Sequence, residues 1–269
     1  MAAVELTAAD GTAGTVRRVV IALGASNLSR GLPRLLSVAR ARCGGPVDLV
    51  VAAGHGRSYG VTSRVGVRRL PSILWSGLWR ALDRLAASPP ACGLVTDIGN
   101  DLLYGFAPEQ TAGWVEECLT RLAARGVRLA VTRLPLESVA RVGPLREWLL
   151  KTVYVPGCRL SRQRLVQSAE QLDALVVAAA RRHGAAVVDQ PGAWYGFDSI
   201  HVRRHRLDHL WQECAESWDM PAAAAKPATL AEWAVIGSRA AEVRGWGRRV
   251  RRTPQPVVVF ADGSRVHLY

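Results

Sequence analysis

The sequence predicts an α/β fold, a parallel β-sheet covered by helices. Three observations predict it. Five short, Val-rich apolar runs alternate with longer stretches of helical period, the signature of βαβ units. Glycine-containing polar segments follow the runs, where the loops at the carboxyl edge of such a sheet belong. A chain of 269 residues that is 49% hydrophobic is long enough to bury one substantial core.

In chain order, the strands are expected at 17–24 (RRVVIALG), 47–54 (VDLVVAAG), 93–99 (GLVTDIG), 127–135 (VRLAVTRLP) and 185–190 (AAVVDQ). A helix is expected over 73–86. Trp114, Val115, Cys118, Leu119 and Leu122 recur at the spacing of one helical face, with Gly126 as its stop. A third helix spans 160–183, where Leu165, Ala169, Leu172, Val176 and Ala179 form a stripe. Leu207, Leu210, Trp211, Cys214, Ala215 and Trp218 form another after residue 201. Thr229 and Glu232 have capping-box spacing ahead of a helix from about residue 230. The final run, VVVFADGSRVHLY, carries an Asp-Gly dipeptide between two strand-like stretches, a hairpin signal. The organisation read from this is a tail over 1–16, a main domain over 17–220, and an appended helix and hairpin over 221–269. No internal repeat is present.

Thirty-five basic residues against 22 acidic ones give a net charge of +13 and a pI near 10.6. All the cations except Lys151 and Lys226 are arginines, scattered along the chain apart from RGWGRRVRR at 244–252. That cluster reads as a solvated linker, with an anionic surface patch as its rival. The first residues lack a basic start followed by an apolar stretch, and no run of 18 apolar residues occurs. The expectation is therefore a soluble, cytoplasmic protein. Cys43, Cys92, Cys118, Cys158 and Cys214 lack paired spacing and read as reduced thiols.

Four loops carry the chemistry: GASNLSRG at 24–31, GHGRSYG at 54–60, GNDLLYG at 99–105 and GFDSIHVRRH at 196–205. Together they supply a hydroxyl, glycine-rich backbone, an amide, and an Asp three residues before a His. A serine hydroxyl becomes a nucleophile when an imidazole takes its proton, and a carboxylate fixes that imidazole's tautomer. Ser26, His201 and Asp198 have the side chains for those roles. The Ser26 N–H, a glycine N–H and the Asn100 amide can stabilise the charge that develops on an attacked carbonyl oxygen.

In these blocks the chain resembles the SGNH hydrolases of the GDSL esterase and lipase superfamily. "GAS" is similar to the family's first block, "GHGRSYG" to its second, "GND" to its third and "DSIH" to its fourth, over roughly residues 17–218. The resemblance implies a flavodoxin-like, three-layer α/β/α sandwich with a five-stranded parallel sheet. It implies Ser26 as nucleophile, His201 as base, Asp198 as its partner and Asn100 as an oxyanion donor, acting on a small acyl ester or thioester without cofactor or metal. Two positions depart from the family pattern: Ala25 stands where Asp is usual, and Ile98 where the first Gly of the third block is usual. Gly54, Gly56 and Gly60 compete for the second oxyanion donor; Gly56 fits the pattern best, because two polar residues follow it.

Each candidate has a plainer reading. Ser26 can cap a helix that begins near Asn27, and Asn100 and Asp101 can serve as a cap and its neighbour. Asn27, His55 and Arg57 are candidates for substrate contact, and His55 serves equally as an exposed loop residue. His205 and His209 follow His201 at helical spacing, but Arg203, Arg204 and Arg206 crowd them, which argues against a metal site. Two competing functions remain: an SGNH-fold protein that only binds ligands, and, ranked last, a basic nucleic-acid-binding module. An acyltransferase using the same serine stays open within the enzyme class. The residues do not indicate an oligomeric state.

Overall fold

The computed structural model describes residues 17–65, 68–84, 92–141, 161–196, 200–220, 224–236, 242–244 and 250–269. The expected tail over 1–16, Cys158 and Asp198 lie outside them.

The chain opens with β1 (Arg18–Leu23), α1 (Ser26–Cys43) and β2 (Val47–Ala52). A short hairpin of β3 (Ser63–Val65) and β4 (Arg68–Leu70) follows, then α2 (Leu78–Arg84) and β5 (Cys92–Val95). Next come α3 (Asn100–Leu103), α4 (Pro108–Ala123), β6 (Arg128–Thr132) and α5 (Leu136–Ala140). The remaining elements are α6 (Arg162–Arg182), β7 (Ala186–Val188), α7 (Leu207–Glu216), α8 (Leu230–Ile236), β8 (Glu242–Arg244), β9 (Val250–Arg252), β10 (Val258–Val259) and β11 (Arg265–Leu268).

All five expected core strands form, in the order β2-β1-β5-β6-β7, every neighbouring pair parallel. Period-two alternation divides their side chains between two cores. Val19, Ile21 and Leu23 pack with α2, α4 and α6 on one face of the sheet. Val20 and Ala22 pack with α1 and α7 on the other. The result is the three-layer arrangement. Gly31 shows how tightly the second face closes: a Cβ there would stand 2.5 Å from the Trp211 ring nitrogen, which donates to the Gly31 carbonyl at 3.1 Å.

The sheet has seven strands, which corrects the expected five. The Asp262-Gly263 hairpin forms as expected, but it joins the sheet: β11 pairs in parallel with β2, and β10 pairs antiparallel with β11. An open β2 edge offers unpaired backbone groups, and the hairpin satisfies them. Arg40 of α1 fastens it, bonding Asp262 at 2.7 Å, the Ser264 hydroxyl at 3.1 Å, and Glu232 of α8. The capping box at α8 also forms, Glu232 N–H to the Thr229 hydroxyl at 3.2 Å and Thr229 N–H to the Glu232 carboxylate at 2.8 Å.

A second sheet, β3-β4-β8-β9, is antiparallel. It corrects the reading of 244–252 as a linker, because Arg244 and residues 250–252 are strand, with 245–249 outside the described residues. No described helix is long and apolar enough to cross a membrane. Cys43, Cys92, Cys118 and Cys214 are free thiols; burial pushes the Cys43 thiol up to about 11 and the Cys92 thiol up to about 12.

Candidate active site

In a sheet ordered 2-1-3-4-5, the chain leaves the first strand toward one neighbour and later fills the other side, so the loops after strands one and three diverge and leave a crevice. Here that crevice lies beyond the carboxyl ends of β1 and β5. Ser26 follows β1, and Asp97 to Asn100 follow β5.

The loop after β5 is bent by two unusual backbones, Asp97 at φ +56° and Gly99 at φ +142°. A non-glycine residue held in the left-handed region carries strain that its surroundings must offset. At Asp97 the offset is a set of three hydrogen bonds. Its Oδ2 accepts the N–H groups of Ala25 at 2.8 Å and Leu28 at 3.0 Å, and its Oδ1 accepts the Asn27 amide at 2.8 Å. A carboxylate at this place satisfies orphan donors at the start of α1 and complements the positive end of its dipole. Thus the carboxylate lacking at position 25 arrives from the neighbouring strand.

This arrangement decides the plain reading of Ser26. The cap of α1 is Asp97, and the Ser26 side chain caps nothing. Its hydroxyl makes no hydrogen bond among the described residues, and it is half-buried.

Asn27 is 5% exposed and fully engaged. Its amide nitrogen also donates to the Ile200 carbonyl at 3.1 Å, and its oxygen accepts the Val202 N–H at 2.9 Å. One side chain therefore grips the backbone on both sides of His201. The same segment folds back on residues 194–196, with Gly196 N–H on the His201 carbonyl at 2.9 Å and Arg203 N–H on the Trp194 carbonyl at 2.7 Å. Asp198 falls in the part of this segment outside the described residues.

The second and third loops are tied together. Asp101 is fully buried; its carboxylate accepts the Ser58 hydroxyl, and the Tyr59 N–H at 3.0 Å. Burial raises its pKa, and those two donors work against the rise. Asn100 donates to the Arg57 carbonyl at 3.2 Å, leaving its second amide proton for other use. The Tyr104 hydroxyl, pushed up to about 12 by burial and by the Asp101 charge, stays protonated and donates to the Gly56 carbonyl.

The three competing glycines differ. The Gly60 N–H is committed to the Ser58 hydroxyl at 3.1 Å, and a Cβ at Gly60 would lie 1.9 Å from Trp114. Gly54 is buried, with a Leu70 methyl 2.2 Å from where its Cβ would stand. Gly56 is half-exposed at φ +63°, and its N–H makes no hydrogen bond among the described residues.

Arg57 does not face the crevice, contrary to its candidacy for substrate contact. It is fully buried, and its guanidinium donates to the carbonyls of Pro71 at 3.0 Å, Ala53 at 3.1 Å and Tyr269. His55 is exposed at the tip of the 54–57 turn. Partial desolvation and then the charges of His201, Arg68 and Arg30 lower its pKa, with Asp97 acting in the opposite sense. His55 and His201 therefore stand within electrostatic reach of each other.

Ser26 and Asn100 line one cavity of about 90 Å³. Away from Ser26 its wall is mostly apolar, with Ile98, Leu102, Leu134, Val139 and Leu165, and Gln190 and Tyr195 as its polar members. Ile98, one of the departures from the family pattern, is part of that wall. No group of three or more metal-ligating side chains occurs among the described residues.

Asp97 was missed at the sequence level, although Thr-Asp-Ile-Gly-Asn-Asp carries two acidic residues around the loop. The signal was there: an acidic residue at the end of a central strand, opposite a serine that lacked its own acidic neighbour.

No protein-family model matches the chain, and no curated protein matches it. Solved structures do. A carbohydrate acetylesterase family member from Sinorhizobium meliloti superposes with a TM-score of 0.50 at 13% identity, over 74% of this chain and 95% of that one. Est24, a carbohydrate acetylesterase from Sinorhizobium meliloti, gives a TM-score of 0.50 at 14% identity, over 74% of this chain and 97% of that one. The chain shares their fold, an α/β/α sandwich built on a mostly parallel sheet.

Proposed function

We propose that the chain is an ester hydrolase in which Ser26 is the nucleophile and His201 the general base. In this reading His201 takes the Ser26 proton as the hydroxyl attacks the acyl carbon, and Asp198 stabilises the resulting imidazolium. The N–H groups of Ser26 and Gly56 and the amide of Asn100 receive the carbonyl oxygen as it becomes an anion. Collapse of the tetrahedral intermediate expels the alcohol, protonated by His201, and leaves an acyl-serine. Water, deprotonated by the same imidazole, then releases the acid.

The observation that carries the reading is the division of labour at the start of α1. Asp97 caps the helix, which leaves the Ser26 hydroxyl uncommitted, and Asn27 fixes the backbone on both sides of His201 beside it. The shared fold of carbohydrate acetylesterases supports a small acyl ester as substrate.

Labelling the intact protein with a fluorophosphonate and mapping the modified peptide tests the reading, together with turnover of p-nitrophenyl butyrate. The expected result is an adduct on Ser26 and turnover that vanishes in Ser26→Ala. A folded protein that takes no label and splits no ester would instead be a ligand-binding member of the fold.

A further inference from the structure

Beyond β2 the chain makes the 54–57 turn and enters the β3–β4 hairpin, which no step of the proposed reaction uses. Its register pairs Ser63 with Leu70 and Val65 with Arg68. Strand alternation puts Ser63, Arg68 and Leu70 on one face of the hairpin. With His55 they line a pocket of about 20 Å³, enough for one water-sized atom, which needs about 10–15 Å³. Ser63 is 4% exposed, and its hydroxyl meets no hydrogen-bond partner among the described residues. A buried hydroxyl left in that state loses stability, which a polar occupant would restore. Arg68 is half-buried, and its side chain makes no ion pair or hydrogen bond among the described residues.

The polar groups lining the pocket are a hydroxyl, a guanidinium and an imidazole, and no carboxylate joins them among the described residues. The other face of the hairpin carries Arg64 and Arg69, and clustered guanidinium groups raise the local concentration of anions.

We propose that His55, Ser63 and Arg68 form an anion subsite, so that the ester split at Ser26 carries a carboxylate or phosphate on its alcohol side. The proposal rests on the hydrolase reading above for the reaction itself. The side is set by strand order: Ser26 follows β1, the subsite follows β2, and the apolar cavity lies on the opposite flank, beyond β5 and β6. An acyl chain in that cavity leaves the alcohol portion to face His55 and Arg68. A bound anion also opposes the positive charges of His201, Arg68 and Arg30 that weigh on His55, so it raises the His55 pKa from its lowered state toward the ordinary value, in the same sense as Asp97.

The test compares the butyrate esters of glycerol, glycerate and glycerol 3-phosphate. Wild type is expected to split one of the two anionic esters with kcat/KM at least about tenfold above the neutral one, an advantage that shrinks as salt rises. The glycerate and phosphate arms identify which anion fits. In Arg68→Gln the anionic-to-neutral ratio falls to about one, and in Ser63→Ala it falls in the same direction by less. Hydrolysis of the neutral ester with no anionic preference, or a preference that Arg68→Gln does not move, overturns the subsite and leaves the hydrolase reading intact. If no ester is split, the hydrolase reading fails, and titration of the His55 ring by NMR with inorganic phosphate still decides the subsite. A rise in its pKa in wild type that is absent in Arg68→Gln supports the subsite, and no rise in wild type overturns it.

Discussion

The two flanks of Ser26 are built differently. Beyond β5 and β6 the wall is apolar, and its residues belong to elements that also hold the domain together: Leu102 and Leu134 pack in the same core as Val95 and Val131. Beyond β2 the wall is cationic and stands on a short inserted hairpin that pairs, through β8 and β9, with residues nearly 180 positions later in the chain. Shape on the first flank follows from folding the core. Charge on the second flank is added to a core that does not depend on it, so the two can be altered separately.

The largest expected effect lies between the flanks. Ser26→Ala should lower kcat by about 10⁴-fold or more while leaving the unfolding temperature almost unchanged, since the side chain caps nothing. Loss of folding in this variant would show that the hydroxyl serves structure after all.

Asn27→Ala removes the grip on the His201 segment. We expect kcat to fall by about 10- to 100-fold, KM to change little, and Asn27→Asp to restore only part, because a carboxylate can accept from Val202 but cannot donate to Asp97 or Ile200. A raised KM with kcat unchanged would mean that Asn27 touches substrate.

On the apolar flank, a cavity of about 90 Å³ compares with the roughly 150 Å³ that holds benzene, so it accepts an acyl chain of about four carbons. Ile98→Ala should shift the preference from butanoyl toward hexanoyl esters by about tenfold in relative kcat/KM, at a stability loss of about 2–4 kcal/mol. An unchanged chain-length profile would place the acyl group elsewhere.

The smallest effect concerns how the β10–β11 hairpin beside the cationic flank is anchored. Burial would raise the carboxyls of Glu232 and Asp262, but the Thr229 and Ser264 backbone N–H groups and the Arg40 guanidinium hold both below their ordinary values of 4.5 and 3.8. Carboxyls with folded pKa values below the unfolded ones contribute stability that is complete above about pH 4.5 and is lost as pH falls through the lowered values. The Asp262 share is reduced by solvent, since its side chain is 42% exposed, and the total is about 1 kcal/mol or less. Amide hydrogen exchange at pH 6 and pH 3.5 checks it: β11 should lose protection before β6 does.

Legibility in the sequence divided along the same line. Buried strands and the helices between them announce themselves through apolar period, so all five core strands and the stripes of α4, α6 and α7 were readable. The capping box and the Asp262-Gly263 turn were readable because each is local backbone chemistry. The pairing of β11 with β2 was not, since a strand's partner is set by tertiary packing and not by its own pattern. Three-residue strands such as β3, β4, β8 and β9 are too short to show any period, which is why the arginines at 244–252 looked like a solvated linker. At the site, Ser26, Asn100 and His201 stood out as polar residues after strands. Asp97 did not, because its role depends on a left-handed backbone and on a helix that begins seventy residues earlier. Arg57 looked available for substrate only because nothing local reveals a guanidinium enclosed by distant carbonyls.

The parallel pairing of β11 with β2 also has a consequence in time. Residues 265–268 meet 48–51 across more than 200 intervening positions, so during synthesis the exposed margin of β2 waits until more than 200 further residues have left the ribosome. Closing so long a loop is slow, and an unpaired strand margin is adhesive while it waits. Nascent chains halted before residue 265 should therefore be captured by chaperones that bind extended apolar segments, and released once β11 docks.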